Sequence, residues 1–295
     1  MKKTGFIAIV GRPNVGKSTL MNSILGEKVA IVSNKPQTTR NRITGIYTKE
    51  DNQYVFIDTP GIHNPKNSLG EYMVKTADTS MRDADAVVLV VDVGKEISTV
   101  EENVIAYLKK SGIPAILALN KIDMYRRETL AETIAKYASK HDFSAFVPIC
   151  AKNGKNVDEL LDECAAFLSE SPWFFPEDMV TDQPERQIAS EIIREKILRT
   201  LNKEVPHGTA VVIEEFKDEG SLISIRAEIF CEKTSHKGII VGKGGASLKL
   251  IGSYAREDLE KLFGTKVYLN LWVKVKENWR ESARTVSNFG YNDEN

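Results

Sequence analysis

The stretch that decides the fold is Gly11-Arg12-Pro13-Asn14-Val15-Gly16-Lys17-Ser18. It matches the pattern G-x-x-x-x-G-K-[ST], follows the apolar run Phe6–Val10 and precedes a helical pattern, which is the context that this motif requires. Its glycines let backbone N–H groups surround phosphate oxygens, and a helix N-terminus adds partial positive charge. The stretch therefore predicts a triphosphate-binding loop, rather than a glycine-rich turn that only connects a strand to a helix.

Around this loop, short apolar runs alternate with helical patterns up to about residue 170. Runs rich in Val and Ile without polar alternation are typical of strands buried on both faces. Their alternation with helices predicts an α/β domain, a mostly parallel sheet with helices on both faces. The predicted strands are Phe6–Val10, Tyr54–Ile57, Ala86–Val91, Ala115–Leu119 and Phe146–Ile149, and the predicted helices are Ser18–Leu25, Val100–Lys110, Glu128–His141 and Val157–Leu168.

Length and composition bound the class of protein. A chain of 295 residues predicts about two domains, and 42% hydrophobic with 27% charged residues argues against disorder, collagen-like repeats and a coiled coil. The net charge of −1 gives no overall basicity that would indicate a nucleic-acid partner. The three cysteines, Cys150, Cys164 and Cys231, are too few and too scattered for a disulfide framework or a zinc site. They fit a reduced cytosolic protein.

No apolar run approaches the roughly 18 to 20 residues that span a bilayer. The apolar stretch Phe6–Val10 is also too short for the core of a signal peptide and is better interpreted as a buried first strand. We therefore expect a soluble protein, for which contact with a membrane would be at its surface only.

A second motif, Asp58-Thr59-Pro60-Gly61, follows the predicted strand Tyr54–Ile57. An Asp at the carboxyl end of a parallel strand lies at the ligand edge of the sheet, where Asp58 can hold Mg²⁺ through water together with the Ser18 hydroxyl. Lys17 would reach the β- and γ-phosphates, and the Gly61 N–H can approach the γ-phosphate. Alone, such a motif is also found in ordinary strand-to-loop turns. After a phosphate-binding loop, it favours a nucleotide site.

A third motif, Asn120-Lys121-Ile122-Asp123, follows the predicted strand Ala115–Leu119. The Asp123 carboxylate can accept hydrogen bonds from both N1–H and the 2-amino group of guanine. Adenine has no such pair of donors, so the carboxylate would be left unpaired against it, which is costly. The motif therefore predicts selection of GTP over ATP.

Together the three motifs resemble the first, third and fourth boxes of translation-factor-type GTPases. Cys150-Ala151-Lys152 resembles the fifth box, with Cys150 in place of the usual Ser. The resemblance implies a GTP site whose members come from these four segments. They are Gly11, Arg12, Pro13, Asn14, Val15, Gly16, Lys17, Ser18, Thr19, Asp58, Thr59, Pro60, Gly61, Ile62, Asn120, Lys121, Asp123, Cys150, Ala151 and Lys152.

The segment 36–40, Pro-Gln-Thr-Thr-Arg, resembles the first switch of these GTPases. Thr39 is our choice for the switch threonine that closes on Mg²⁺ and the γ-phosphate, and Thr38 is the alternative. The resemblance thus implies Mg²⁺ held by Ser18, Thr39 and Asp58, with Lys17, Thr39 and Gly61 as the catalytic residues.

Hydrolysis departs from the Ras pattern at Ile62, which stands where Ras-like proteins place the Gln that orients water. We therefore expect slow intrinsic hydrolysis, and we interpret the neighbouring His63 as a solvated loop residue. Arg12 and Arg40 are two candidate sources of catalytic positive charge. Asn14 is a candidate ligand for K⁺, as in GTPases that resemble this one, and its alternative role is to cap the loop backbone.

In the stretch 171–185, the alternation of predicted strands and helices stops. The stretch contains three prolines next to Trp and Phe residues, and we interpret it as a linker. The resulting division is a GTPase domain at 1–170, the linker, a second domain at 186–280 and a C-terminal tail at 281–295. In the second domain, the predicted elements are a helix at 186–202, strands at 209–216 and 222–230, a glycine- and lysine-rich turn, a helix at 246–263 and a strand at 266–274.

From Asp182 to Asn295, the chain has 18 basic and 18 acidic residues, but the stretch from Lys233 to Arg256 is basic and contains no acid. At its centre, Gly242–Gly245 reads G-K-G-G and matches the GXXG loop with which KH domains clamp a nucleic-acid backbone. The order of elements resembles the bacterial, type II KH domain, a smaller α+β fold. The resemblance implies single-stranded RNA as ligand, with Ile239, Ile240 and Val241 lining an apolar groove. The expected RNA-binding residues are Lys237, Gly238, Ile239, Ile240, Val241, Gly242, Lys243, Gly244 and Gly245.

A GTPase domain joined to a C-terminal KH domain resembles the Era-type bacterial GTPases over nearly the whole chain. The resemblance implies a switch in small-subunit maturation that binds the 3′ region of 16S rRNA and not DNA. It also implies a cytoplasmic protein with peripheral contact at the inner face of the membrane. Two other classes are a P-loop kinase, against which Asp123 argues, and an RNA-binding module that does not hydrolyse its nucleotide.

Overall fold

The computed structural model describes residues 1–202 and 204–292. They form two compact units. The first contains Met1–Val32, Thr39–Lys66 and Gly70–Asp182, and the second contains Ser33–Thr38, Asn67–Leu69 and the described residues that follow Asp182.

The first unit is built on a seven-stranded sheet in the order β2-β3-β1-β4-β5-β6, with β7 also paired to β1. β2 and β7 pair antiparallel, and the other neighbours are parallel. The strands are β1 (Lys3–Val10), β2 (Ile43–Lys49), β3 (Asn52–Asp58), β4 (Ala86–Asp92), β5 (Ala115–Asn120), β6 (Ala145–Pro148) and β7 (Ser169–Glu170). The helices are α1 (Lys17–Leu25), α2 (Ser68–Arg82), α3 (Thr99–Ser111), α4 (Arg127–Ala138) and α5 (Val157–Ala165).

Two apolar layers cover this sheet, one on each face. Ile7 and Ile9 of β1 pack in one layer with α1 and α5, whereas Ala8 and Val10 pack in the other with α3. Alternate residues of a strand point to opposite faces, so an uninterrupted apolar strand is what a sheet covered on both sides requires. The prediction of a mostly parallel sheet between helices is confirmed.

Three elements of this unit have no counterpart in the predicted set: β2, the two-residue strand β7, and α2. β2 reads I-T-G-I-Y-T-K and is an edge strand, so it needs no continuous apolar run. The residues of α2 are slightly polar on average, and its apolar side chains lie on one face of the helix. For this reason no apolar run marks the helix in the sequence.

The second unit contains a three-stranded sheet in the order β10-β9-β8, where β8 and β9 are antiparallel and β9 and β10 are parallel. Apolar residues of the helices α6 and α8 form one core with the sheet, as Ile193, Ala255 and Ile225 illustrate. The elements are α6 (Glu185–Thr200), β8 (Ala210–Asp218), β9 (Leu222–Cys231), α7 (Thr234–Val241), α8 (Ala246–Phe263), β10 (Lys266–Val275) and α9 (Ala283–Asn288). The predicted small α+β domain of KH type is confirmed.

The glycine- and lysine-rich turn is shorter than expected. Gly238 and the three residues after it belong to helix α7, and the turn begins only at Gly242. The C-terminal segment 281–292 also contains a helix, α9, after which Phe289 stacks on Phe230 with ring centroids 4.4 Å apart. Within the described part of the chain, no helix is long and apolar enough to cross a bilayer.

The segment interpreted as a linker runs along the β2–β3 edge of the first unit. The Trp173 indole donates to the Asp51 carbonyl at 3.1 Å, and the Gln53 side chain accepts from the backbone N–H groups of the two following phenylalanines. Further on, the Val180 carbonyl accepts from the Ile46 N–H at 2.8 Å. The aromatic residues and these hydrogen bonds fix the segment to the sheet.

Candidate functional site

The phosphate-binding loop has a backbone that only glycine fits at two positions. Gly11 has φ of 149° and Gly16 has φ of 104°. A Cβ at Gly11 would lie 2.4 Å from the Val90 carbonyl oxygen, and one at Gly16 would lie 2.3 Å from the Asn120 side chain. Helix α1 begins at Lys17, directly after the loop, so its free N–H groups face the phosphate position.

Lys17 is held inside the loop that it serves. Its Nζ donates to the carbonyls of Gly11, at 3.1 Å, and Arg12, at 3.0 Å. Burial lowers the pKa of Lys17 to about 8, and the charge of Asp58 offsets part of this effect. A buried cation with a lowered pKa gains strongly from an anion, which is the role that phosphates would fill.

Three predicted magnesium ligands meet in one cluster. The Ser18 hydroxyl donates to Asp58 Oδ2 at 2.7 Å and lies 2.9 Å from the Thr39 hydroxyl, which donates to the same carboxylate oxygen at 3.2 Å. Burial raises the pKa of Asp58, while the charge of Lys17 and the two hydroxyls lower it. The other oxygen, Asp58 Oδ1, is buried without a hydrogen-bond partner. Hard oxygen donors with such an orphaned carboxylate oxygen fit Mg²⁺.

The two adjacent threonines of the switch segment have different contacts. The Thr38 hydroxyl donates to the Lys35 carbonyl at 2.6 Å, whereas the Thr39 hydroxyl reaches Ser18 and Asp58. This geometry favours Thr39 as the magnesium ligand.

The residues after Asp58 place backbone groups next to the loop. The Thr59 hydroxyl donates to the Ile9 carbonyl at 2.9 Å, and the Ile62 N–H donates to the Gly11 carbonyl at 3.3 Å. A Cβ at Gly61 would lie 2.9 Å from Pro13, so glycine is needed for this close approach. The Ile62 side chain packs against the apolar layer on the α3 side. It therefore offers no polar group to an attacking water.

Asn120 connects three of the predicted segments. Its Nδ2 donates to the Val15 carbonyl at 2.7 Å, while its Oδ1 accepts from the backbone N–H groups of Lys121 and Ala151, at 2.8 and 3.0 Å. The side chain is buried, so each of these bonds is shielded from water. Asn120 thus fixes the phosphate-binding loop relative to the two segments expected to hold the base.

Lys121 makes a second connection to the loop. Its Nζ donates to the Asn14 carbonyl at 3.0 Å and to Asp92 Oδ2 at 2.9 Å. Asn14 itself has a φ of 65°, in the left-handed region. Asn14, the candidate ligand for K⁺, is therefore held through its backbone, and the residue is exposed.

The thiol of Cys150 contacts the carboxylate that is expected to bind guanine. Cys150 is buried, and its Sγ donates to Asp123 Oδ1 at 3.1 Å. Asp123 is exposed, as an approaching base requires. The Cys in place of Ser therefore keeps a hydrogen bond to Asp123, and Ala151 and the exposed Lys152 follow directly.

Sequence reasoning missed Glu101, a completely buried carboxylate on α3. Its Oε1 lies 2.9 Å from Nε of Arg12, and its Oε2 accepts from the Ser98 N–H at 2.8 Å. Burial and Glu101 raise the pKa of the Tyr137 hydroxyl. The spacing Ser-x-x-Glu before a helix is the pattern of a capping box, which predicts the cap but not the ion pair with the loop.

The Gly242–Gly245 turn of the second unit exposes backbone beside a helix N-terminus. Gly242, Gly244 and Gly245 have φ of 74°, 59° and 82°, and the exposed Lys243 lies among them. A Cβ at Gly242 would lie 2.7 Å from Ser247. Helix α8 begins at the next residue after the turn, so the turn combines free N–H groups with a lysine charge.

A groove of about 410 Å³ lies next to this turn, between α8 and β10. Apolar and basic side chains line it, among them Leu248, Lys249, Arg256, Leu269 and Leu271. Sequence reasoning missed the leucines of β10, because alternation within a strand does not say which face borders a groove.

The expectation for Ile240 needs correction. Its side chain is fully buried in the core of the second unit, so it cannot line a groove that bases enter. Its neighbour Ile239 is 51% exposed. Because both residues lie in helix α7, adjacent side chains point about 100° apart and only one of them faces the core.

Each part of the chain matches a known protein family, and relatives contain both parts. Residues 6–121 match the family described as "50S ribosome-binding GTPase", and residues 204–280 match the family described as "KH domain". GTPase Era of Alkaliphilus oremlandii (strain OhILAs) is 54% identical over 98% of this chain and 99% of that protein. GTPase Era of Clostridioides difficile (strain 630) is 51% identical over 99% and 100%. The chain belongs to the GTPase Era family.

Solved Era structures agree with this chain over both units. An Aquifex aeolicus Era variant bound to GDP·AlF4⁻ is 41% identical, with a TM-score of 0.94, over 98% of this chain and 99% of that one. Era in complex with MgGDPNP and nucleotides 1506–1542 of 16S ribosomal RNA is also 41% identical, with a TM-score of 0.95, over 99% of both chains. The resemblance to Era-type GTPases inferred from the motifs is confirmed.

Proposed function

We propose that this Era-family GTPase is a switch in small-subunit maturation, which binds GTP and the 3′ region of 16S rRNA. The observation that carries the proposal is the Ser18–Thr39–Asp58 cluster beside the buried Lys17, in a chain that also has a Gly242–Gly245 turn next to a groove. The GDPNP complex with 16S rRNA nucleotides, described for a relative 41% identical, supports the same pairing of ligands.

In this proposal, the loop residues 11–19 surround the phosphates with backbone N–H groups. Lys17 exchanges its two carbonyl contacts for the β- and γ-phosphates. Ser18, Thr39 and Asp58 would hold Mg²⁺, and its charge would stabilise the negative charge on the phosphate oxygens. Gly61 directs its N–H at the γ-phosphate. The products of hydrolysis are GDP and phosphate, because water is the acceptor of the γ-phosphoryl group.

Guanine is selected at the opposite end of the site. Asp123 accepts both guanine donors, and the Cys150 thiol holds its carboxylate in place. Asn120 keeps this region in register with the loop through Val15. The catalytic rate is limited by the absence of a water-orienting Gln, since Ile62 packs into the apolar layer. Arg12 is not a good source of catalytic charge, because Glu101 already neutralises it.

RNA binding uses the turn and the groove. The N–H groups at the start of α8 and the charge of Lys243 contact the RNA backbone, and unstacked bases enter the groove beside Leu269 and Leu271. GTP would order the switch segment around Thr39, and hydrolysis would release it. We place this activity in the cytoplasm, at the assembling small subunit. Contact with the inner face of the membrane stays a prediction.

The test is GTP turnover measured with and without an RNA that spans the 3′ end of 16S rRNA. We expect slow turnover alone and tight binding of the RNA. Gly242→Asp with Gly245→Asp should abolish RNA binding, since two carboxylates would replace phosphate contacts, and should leave GTP affinity within about twofold. Transfer of phosphate to a small-molecule acceptor would favour a kinase instead. RNA binding without any turnover would favour the non-hydrolysing module.

A further inference from the structure

Strand β10 presents different chemistry on its two faces. Leu269 and Leu271 line the groove next to α8. Tyr268 and Trp272 lie on the opposite face of the strand, because they are offset from the leucines by an odd number of residues. They are 60% and 59% exposed, which is unusual for large aromatic side chains on a sheet. β10 is also an edge strand of the sheet, so one side of it is not covered by another strand.

The charge on this outer face is mainly positive. From Lys266 through Lys276, the chain has three exposed lysines and no acidic residue. Register places Arg226 of β9 opposite Asn270, between the two aromatic residues. Strand β10 therefore combines exposed rings with cations, as nucleic-acid-binding surfaces do.

Two glutamates also lie on this face, and both are paired. Glu228 pairs with Lys274, and Glu215 pairs with Lys217 and with Arg226, the latter at 3.5 Å. By register, four basic residues lie on this face with these two acids: Lys217, Arg226, Lys266 and Lys274. The other two acids of the strands are Glu214, at the β-bulge, and Asp218, which is opposite the buried Ile223. A polyanion is favoured over an acidic protein surface.

The apolar end of the same face is covered by the chain itself. Phe230 of β9 stacks on Phe289, which follows α9, and Phe289 also contacts the buried Trp279. What remains exposed is two separated rings with an amide, Asn270, between them. A second copy of the chain or another protein would need a continuous apolar patch, which this face does not offer.

We propose that this outer face, formed around Tyr268 and Trp272, is a second RNA-binding surface on which bases stack. The proposal rests on the RNA-binding function above. RNA held in the groove against Leu269 and Leu271 needs only to pass over the edge strand to reach the rings on the other side. Four residues of a strand span about 13 Å, so the rings receive bases that are not adjacent in the RNA. Stacking tolerates any base, so the surface adds affinity without a strict sequence requirement.

The experiment compares two RNAs by fluorescence anisotropy, on the full chain. The short RNA covers the nucleotides that fit the groove, and the long RNA extends it by about ten nucleotides at both ends. We expect Tyr268→Ala with Trp272→Ala to weaken binding of the long RNA at least tenfold and to change binding of the short RNA less than twofold. Tyr254→Ala, an exposed aromatic on α8 outside both surfaces, is the matched control and should change neither.

Two further variants keep the test decisive. If the double alanine variant does not fold, Tyr268→Glu and Trp272→Phe replace it. Tyr268→Glu should weaken binding of the long RNA, because the carboxylate repels phosphate. Trp272→Phe should retain most of the affinity, because the phenyl ring still stacks on bases. Equal affinity of the long RNA for wild type and for the folded double alanine variant, or for Tyr268→Glu where that replaces it, would overturn the proposal. So would a wild-type dimer, seen by sedimentation, that the same variants convert to monomers. Failure of the wild type to bind even the short RNA would instead refute the proposed function.

Discussion

Nε of Arg12 in the phosphate-binding loop lies 2.9 Å from Oε1 of Glu101, a carboxylate with no exposed surface. The pair connects the loop to helix α3, whose first turn Glu101 also caps through Ser98. A buried carboxylate with a charged partner is costly to leave unpaired, so the pair restrains both elements. It also takes the guanidinium of Arg12 out of the set of groups that could stabilise charge in the transition state.

Glu101→Gln tests this relationship. Gln retains a capping residue at the same helix position but removes the charge, so the loss comes mainly from the ion pair. We expect the free energy of unfolding to fall by about 2 kcal/mol, less than for a fully buried pair because Arg12 is partly exposed. A double-mutant cycle with Arg12→Gln, measured by urea unfolding, should give a coupling of about 1 kcal/mol or more. The exposed pair Lys136–Glu96 is the control and should give almost none. Equal couplings for the two pairs would contradict the prediction.

Asp123→Asn should change which base is bound. The amide can donate to the C2 carbonyl of xanthine but loses one acceptor that guanine needs. We expect GTP affinity to fall by more than a hundredfold and affinity for xanthosine triphosphate to rise, measured by calorimetry. Unchanged GTP affinity in the folded variant would disprove the assignment of Asp123.

Cys150→Ser and Cys150→Ala separate the hydrogen bond from the packing at that position. A hydroxyl donates to a carboxylate more strongly than a thiol does, so the serine variant should bind GDP as well as wild type or up to a few-fold more tightly. The alanine variant leaves Asp123 without this donor and should bind several-fold more weakly. If all three proteins bind GDP equally, the thiol does not orient the carboxylate.

The lowered pKa of Lys17 predicts proton uptake when nucleotide binds. At pH 8.5, a group with pKa about 8 is partly neutral, and phosphate raises that pKa, so GDP binding should take up a fraction of a proton. The phosphates of GDP are already ionised at pH 8.5. Mg²⁺ is omitted so that its binding does not change the protonation of Asp58. Calorimetry in two buffers with different ionisation enthalpies measures the number. At pH 6.5, Lys17 is protonated beforehand, so its uptake should vanish.

The lowered pKa of Lys17 also predicts how the free energy of unfolding changes with pH. Between about pH 8 and 10.5, the folded nucleotide-free chain binds fewer protons at Lys17 than the unfolded chain does. Its contribution to the free energy of unfolding therefore rises with pH across that window. A fall across the window in wild type, relative to Lys17→Met, would contradict the lowered pKa.

Asn14 is expected to help hold K⁺ against the phosphates, since neither Ile62 nor the neutralised Arg12 supplies positive charge. GTP hydrolysis should be faster in potassium than in sodium at equal ionic strength. Asn14→Ala should remove the difference while nucleotide affinity stays within about threefold. Equal wild-type rates in the two salts, alone and with RNA, would rule out this role and leave Asn14 as a backbone cap.

The sequence predicted those parts of the site that depend on residues close together in the chain. The glycine positions of the loop and the strand ends that present Asp58 and Asn120 follow from motif and sheet edge together. Contacts between distant segments could not be predicted in the same way. The choice between Thr38 and Thr39 depends on where the switch segment meets Asp58, and no periodicity encodes that. The burial of Ile240 likewise depends on helix α7, in which Gly238 is a poor helix former.

The backbone contacts of the linker segment have a consequence for solubility during synthesis and storage. β2 is an edge strand, and its free N–H and C=O groups could pair with the same edge of another molecule. Val180 accepts from Ile46, and the Thr181 hydroxyl donates to the Thr44 carbonyl, so the chain occupies part of that edge itself. A chain that ended at residue 170 would expose this strand and be prone to edge-to-edge aggregation. The segment between the two domains thus protects the edge of the first domain from pairing with another molecule.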